Sequence, residues 1–340
     1  MDSAKIGVLL INLGTPDNPH KPAVRRFLKE FLSDPRVIDL PTPIRSLLVH
    51  GFILPFRTAR SAQAYQMIWD PEKGSPLAFH TQELGSSLQE KLGPKFCIAV
   101  GMRYGNPSIF SAIDKLLAEP LEKLIVLPLF PQYSSAATQS AIENAAKGLA
   151  ARNITDHKVI PHFYNDPHYI QAQANVIAPF LAQADGVLFS YHSLPVRHIQ
   201  KGNNDCAPSC FEQQPCQMVS QKNQTCYRAQ CFETSRLLAK TLGLSELQYK
   251  VVFQSKLGRT PWIGPTVESG MQWFKDRKVE RLLVACPSFV ADCLETLEEI
   301  GIRGKEQWMA LGGKEYTLAP CLNAQPSWVN ALAQMVQNSL

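Results

Sequence analysis

With 340 residues, 45% of them hydrophobic and 19% charged, the chain is long enough for two domains with separate cores and has an ordinary globular composition. A formal net charge of +5, with no Lys/Arg run and no aromatic-basic stripe, argues against nucleic acid while admitting an anionic ligand or an anionic membrane surface. No apolar stretch reaches ~18 residues and Met1 to Lys5 carries no leader pattern, so the nine cysteines are expected as free thiols or metal ligands in a reducing cytoplasm.

Ile6 to Leu13 reads as a buried strand closed by Gly14-Thr15-Pro16-Asp17, and Val24, Phe27, Leu28, Phe31 and Leu32 then share one helical face. From Pro41 to Arg57, apolar residues are bracketed by prolines and by Arg45, Arg57 and Arg60. That stretch fits either a short buried helix or an apolar lip that touches lipid or covers a flat hydrophobic ligand. Lys73-Gly74-Ser75-Pro76 is a turn before a helix that runs to about Leu92. Strands follow at Phe96 to Met102, ending in Arg103-Tyr104-Gly105, and at Leu121 to Leu129, ending in Phe130-Pro131-Gln132-Tyr133-Ser134. A helix from Ala136 to Leu149 comes next. Buried strands alternating with helices imply a parallel sheet covered on both faces.

Gly186 to His192 is another buried strand, stopped by Leu194-Pro195, which places His192 at a carboxyl end where open α/β sheets collect ligands. Val251 to Gly258 matches Ala99 to Gly105, and Glu280 to Phe289 matches Glu122 to Phe130, both offset by about 155 residues, one domain length. The expected fold is α/β, with two similar Rossmann-like domains, each a parallel sheet flanked by helices, facing a central cleft. The first domain takes 1–140 plus a C-terminal helix in 320–340, and the second takes 141–319 with a cysteine-rich insertion at 201–231.

A helix is expected from Ala291, with Asp292, Glu295 and Glu299 at i, i+3 and i+7 on one face beside the apolar stripe Leu294, Leu297 and Ile300. The stripe is either a solvated acidic face or, opposite an imidazole, a row of hard oxygens for a divalent cation or for departing protons. Nucleotide chemistry has no support, since neither G-x-G-x-x-G nor a Walker loop occurs, and the G-x-S-x-G elbow is absent. Tyr104, Phe130, Tyr133, Trp262 and Phe289 lie near strand ends and suit a pocket for a large flat ring, or simply the edges of the core. Lys201 to Cys231 is polar and holds Cys206, Cys210, Cys216, Cys226 and Cys231. Such density argues for a metal centre, an iron–sulfur cluster ahead of structural zinc or unligated thiols.

His192-Ser193-Leu194-Pro195, Phe253-Gln254-Ser255-Lys256 with Pro261-Trp262, and Asp292-Cys293-Leu294-Glu295-Thr296-Leu297 together resemble ferrochelatase. Asn12-Leu13-Gly14-Thr15-Pro16, Arg103-Tyr104-Gly105, Pro131-Gln132-Tyr133-Ser134 and Leu322-Asn323 fit the same family in the same order, so the likeness spans nearly the whole chain. The resemblance implies insertion of ferrous iron into protoporphyrin IX, a porphyrin dicarboxylate, to give protohaem, with release of two protons and no nucleotide. It implies His192 as proton acceptor or iron ligand, Glu295 facing it across the macrocycle, and Asp292 and Glu299 extending a metal or proton path. Leu13, Phe31, Tyr104, Trp262 and Phe289 would line the porphyrin site, with Arg57, Ser75, Arg103 and Tyr133 near the propionates or rim. The lip from Ile44 to Phe56 would border the inner membrane, on a cytoplasmic protein expected to be a monomer. Arg303 stands where a further acidic step is often found. The cysteine segment resembles that of some bacterial members, which implies a two-iron two-sulfur cluster on four of its five cysteines. Alternatives within reach of the same residues are a coproporphyrin substrate, a cobalt chelatase acting on an earlier tetrapyrrole, and a non-catalytic metal or tetrapyrrole carrier.

Overall fold

The structure is a computed structural model and describes residues 4–202, 208–211, 216, 218–256, 258 and 260–340. It divides into two compact units: 1–130 with 135–162 and 323–340, and 131–134 with 163–322.

In the first unit, β1 (Lys5–Thr15), β2 (Phe96–Gly105), β3 (Leu121–Pro128) and β4 (Lys158–Val159) form a sheet in the order β2-β1-β3-β4, all parallel. β1 is central and buried along almost its whole length, as its unbroken apolar run requires. Helices α1 (Lys21–Ser33), α2 (Thr42–Leu47), α3 (Leu54–Ile68), α4 (Pro76–Leu92), α5 (Ile109–Leu117) and α6 (Ser140–Ala150) belong to this unit, as does the C-terminal helix Pro326–Asn338. Leu9 and Ile11 of β1 pack with Ala99, Ile113, Leu116, Val126 and Leu149 in its core. At the end of β1, Gly14 has φ +110°, and a Cβ there would lie 1.7 Å from the Tyr104 carbonyl oxygen. Only glycine lets β1 and β2 stay this close where the chain turns away from the sheet.

The second unit repeats the plan. β5 (Gly186–His192), β6 (Tyr249–Gln254), β7 (Arg281–Ala285) and β8 (Glu315–Leu318) run parallel in the order β6-β5-β7-β8. With them fold α7 (Pro167–Ile177), α8 (Val196–Gly202), α9 (Tyr227–Leu242), α10 (Val267–Lys275) and α11 (Lys305–Ala310). Leu188, Val252, Met271, Phe274, Val284 and Trp308 are core residues here. Matching strand orders explain the repeat seen in the sequence.

Four expectations need correction. The chain passes to the second unit at 162/163 rather than 140/141, because β4 pairs with β3 through Ile125 and Val126 and so holds α6 and β4 in the first unit. The helix expected from Ala136 is a π-helical turn, Ser135–Gln139, followed by α6. α9 begins at Tyr227, so the last five residues of the stretch expected as an insertion are helical. The helix expected from Ala291 is a π-helix, Glu295–Gly304, entered through Leu294. Its start is set by Thr296, whose hydroxyl accepts the Cys293 N–H at 3.0 Å and closes the chain back as a capping-box side chain does.

Candidate active site

His192 is the last residue of β5, half-buried, and opposite Gln254 of β6. Its Nδ1 lies 2.5 Å from the Ser193 carbonyl oxygen. A carbonyl can only accept, so Nδ1 carries the proton and the lone pair sits on Nε2. The Phe289 ring is 6.5 Å away, centroid to centroid. Trp262 is brought to this turn by pairing with Pro195, with Val196 N–H donating to Pro261 O and Ile263 N–H to Leu194 O.

Gln254 ties the elements together. Its Oε1 accepts from Ser190 Oγ at 2.7 Å, and its Nε2 donates to the Glu295 carbonyl at 2.8 Å. The end of β5 and the first turn of the π-helix thus share one buried amide. The next residue, Ser255, has φ +65° and directs both its N–H and its hydroxyl at the Glu299 carboxylate, at 2.8 and 2.6 Å.

The single three-carboxylate helical face is not found. Asp292 precedes the π-helix, is buried, and accepts the Cys321 N–H at 3.1 Å. Asp292 and Glu299 still share a neighbourhood: burial pushes the Cys286 thiol well up, and both carboxylates push it further. Glu295 acts likewise on Cys293, whose thiol is already raised by burial. Arg303 pairs with Glu298, Nε to Oε1 at 2.8 Å, and Glu298 is therefore held on the helix flank. Among the described residues, no three His, Cys, Asp or Glu side chains converge to hold a metal ion.

In the first unit, Asp34 is the residue the sequence reading missed. Its carboxylate accepts from Ser140 Oγ at 2.6 Å, Tyr104 Oη at 2.8 Å, Arg103 Nη2 at 2.5 Å and the Arg36 N–H at 2.7 Å. Burial alone would raise the carboxyl, but these bonds and the Arg103 charge outweigh it and hold it below the usual aspartate value. Arg103 stacks on the Tyr104 ring at 4.4 Å. The two residues assigned to a ligand are thus engaged with Asp34, and Tyr104 is fully buried. One signal was available: an aspartate directly after a helix opposes the helix dipole and implies a compensating cation. Phe31 meets the Tyr104 ring edge-on at 5.1 Å, Leu13 is half-buried, and Ser75 is buried against the Thr15 hydroxyl at 2.8 Å. Arg57 is half-buried on α3. In the second unit, Tyr133 donates its backbone N–H to Gln230 Oε1 at 2.6 Å.

The stretch from Pro41 to Arg57 buries Val49 and Leu54 but exposes other large apolar side chains: Leu47 is 66%, Phe52 59% and Phe56 80% accessible. Arg45 is the exception to the expected basic edge, being buried with Nη1 on the Leu40 carbonyl. No described helix is long and apolar enough to cross a membrane.

Cys206 lies outside the described residues. Cys210, Cys216, Cys226 and Cys231 are free thiols. Burial raises Cys216 and Cys226, and Cys231 well above the usual value. Cys216 also feels Cys210, Cys226 feels both of these, and Cys231 feels Cys226 and Cys216, so the four share one neighbourhood.

Two four-stranded parallel sheets with this strand order define the chelatase fold. The solved structure of SirB from Bacillus subtilis with Fe3+ matches with a TM-score of 0.54 at 10% identity, covering 98% of this chain and 95% of that one. The sirohydrochlorin chelatase SirB from Bacillus subtilis subspecies spizizenii in complex with cobalt matches at 0.52 and 9% over the same shares. That likeness is one of fold. The family model for ferrochelatase matches residues 5–340. A ferrochelatase of Coxiella burnetii (strain CbuG_Q212) is 52% identical over 339 residues, 99% of this chain and 94% of that relative. One from Legionella pneumophila (strain Lens) is 53% identical over 331 residues, 97% and 98% of the two chains. The chain belongs to the ferrochelatase family. It is a metal chelatase, a lyase that inserts ferrous iron into protoporphyrin in haem biosynthesis.

Proposed function

We propose that His192 is the catalytic proton acceptor of this reaction, through Nε2. The observation that carries it is the Nδ1 bond to Ser193, which leaves the other ring nitrogen as a base at the carboxyl end of β5. Insertion of ferrous iron displaces two protons from the pyrrole nitrogens, and each must pass to an acceptor as the metal takes its place. Glu295 is the carboxylate assigned to work with His192, with Asp292 and Glu299 handling the metal or protons further out. In the second unit, Phe289 and Trp262 give the imidazole apolar company suited to the face of a macrocycle. Leu13 and Phe31 offer the same chemistry in the first unit, where Arg57 is the base for a propionate. Arg103 acts through Asp34 and Tyr104, as part of the support. The substrate is the dicarboxylate protoporphyrin IX, and a side-by-side assay with coproporphyrin tests that choice. Equal or higher kcat/KM for coproporphyrin would overturn it.

The cysteine segment is read as the seat of a two-iron two-sulfur cluster on four of Cys206, Cys210, Cys216, Cys226 and Cys231. The donor chemistry fits: the described thiols are grouped and unpaired with one another, and the N–H groups of Ala229 and Arg228 draw Cys226 back down against its burial. Such a cluster supplies one-electron chemistry when bound. Protein isolated without air should be red-brown; colourless protein with stoichiometric zinc would sink this reading. The exposed stretch around Phe52 and Phe56 is the surface assigned to peripheral membrane contact.

A further inference from the structure

The cysteine segment and His192 are joined by one side chain that neither role accounts for. α9 starts at Tyr227, immediately after Cys226, and the Tyr227 ring is buried. Its hydroxyl donates to the backbone carbonyl of His192 at 2.9 Å. The Cys231 thiol and the Ser288 hydroxyl lie beside the same hydroxyl and act on its ionisation in opposite directions, the thiol raising it and the serine lowering it. Ser288 Oγ in turn accepts the His192 N–H at 3.3 Å. Both peptide groups of His192 are therefore held by side-chain hydroxyls, one from the start of α9 and one from the loop after β7. Two turns further along α9, Ser235 meets the Tyr191 hydroxyl at 2.8 Å and returns its own proton to the Cys231 carbonyl. α9 thus grips β5 at two successive residues, and its grip on His192 sits between two cysteines of the segment.

This arrangement matters because the imidazole is set by the backbone on either side of it. The Ser193 carbonyl that fixes the Nδ1 proton follows directly on the peptide whose carbonyl Tyr227 restrains. Without the Tyr227 bond this peptide keeps only its Ser193 N–H on the Gln254 carbonyl at 2.8 Å, which loosens the Ser193 carbonyl against Nδ1 and with it the choice of tautomer.

We propose that Tyr227 is a positioning residue for His192, and that through it the first turn of α9 carries changes in the cysteine segment to the active-site imidazole. The proposal rests on the reading of His192 as proton acceptor.

Tyr227→Phe tests it, keeping the buried ring and deleting the hydroxyl. The expected result is a fall in kcat of roughly tenfold, the worth of one hydrogen bond, with KM for porphyrin and for ferrous iron changed by less than about twofold. In protein carrying 15N-labelled histidine, the His192 nitrogen signals should move toward a mixture of the two tautomers, a change that general loosening of the fold would not give. Unchanged signals and unchanged kcat overturn the proposal. Ser288→Ala removes the other hydroxyl and should move the same signals in the same direction, so a poorly folding Tyr227→Phe protein does not shield the idea. For the link to the segment, Cys226→Ala should shift the His192 signals in the wild-type background and leave them unmoved in the Tyr227→Phe background. A shift in both backgrounds, or in neither, removes the link. Turnover by His192→Ala is a separate measurement: if that variant stays active while the tautomer shift appears, the catalytic reading fails and the positioning role stands.

Discussion

Nδ1 of His192 and the carbonyl oxygen of Ser193 are 2.5 Å apart, within hydrogen-bonding distance along one turn of chain. In the neutral ring this bond selects one tautomer, with Nε2 as its base. Replacement by alanine removes the acceptor entirely. Turnover of protoporphyrin and ferrous iron should fall by about 10²–10⁴-fold, the usual weight of a general base, with the circular dichroism spectrum unchanged. His192→Gln should be as inactive, since an amide nitrogen takes no proton at neutral pH. Near-normal turnover by either variant would refute the assignment.

Asp34 supplies a pH test away from the proposed chemistry. Its carboxyl is held below the usual aspartate value of about 3.9, so its contribution to stability is present above that value and is lost as the pH falls through the lower folded one. Asp34→Asn leaves Arg103, 16% accessible, without its anion, and should cost about 3 kcal/mol in urea unfolding at pH 7. The gap between wild type and variant should stay constant down to about pH 5 and close below pH 4. A gap that widens in acid would mean the carboxyl is not held low.

The sheets were legible in the sequence because buried parallel strands announce themselves as apolar runs, and the stop at Leu194-Pro195 put His192 at a strand's carboxyl end. The acidic helix was misread for a local reason. Periodicity places Asp292 on the same face as Glu299, but the Thr296 hydroxyl stops the helix at Cys293, and the turns beyond it are π rather than α. A spacing argument assumes 3.6 residues per turn and fails where that number changes. Asp34 was missed because its partners Arg103, Tyr104 and Ser140 come from two other elements, a convergence that no spacing encodes.

Ser255 separates strain from function. Its φ of +65° is uncommon for serine, and its N–H and hydroxyl together fix the Glu299 carboxylate. Ser255→Ala and Ser255→Gly delete the same hydroxyl, yet only glycine relieves the left-handed backbone, so the glycine variant should be the more stable by about 1 kcal/mol in chemical denaturation. Both should raise KM for ferrous iron by roughly three- to tenfold while leaving porphyrin KM alone, because the backbone N–H still holds one carboxylate oxygen. An unchanged iron KM in both would remove Glu299 from the metal path.

The exposed stretch that runs from α2 into the first turn of α3 is tested by partition. Phe52 and Phe56 are 59% and 80% accessible, and the full burial of a phenylalanine side chain is worth about 1.5–3 kcal/mol. If both enter the lipid interface, replacing the pair by serine should lower binding to anionic vesicles by roughly a hundredfold, since about 1.4 kcal/mol is one factor of ten. Co-sedimentation with vesicles measures this directly. Turnover of a water-soluble porphyrin in vesicle-free buffer should change less than about threefold, because neither side chain carries the chemistry. Vesicle binding that survives the double replacement would show that these two phenylalanines do not form the lipid contact.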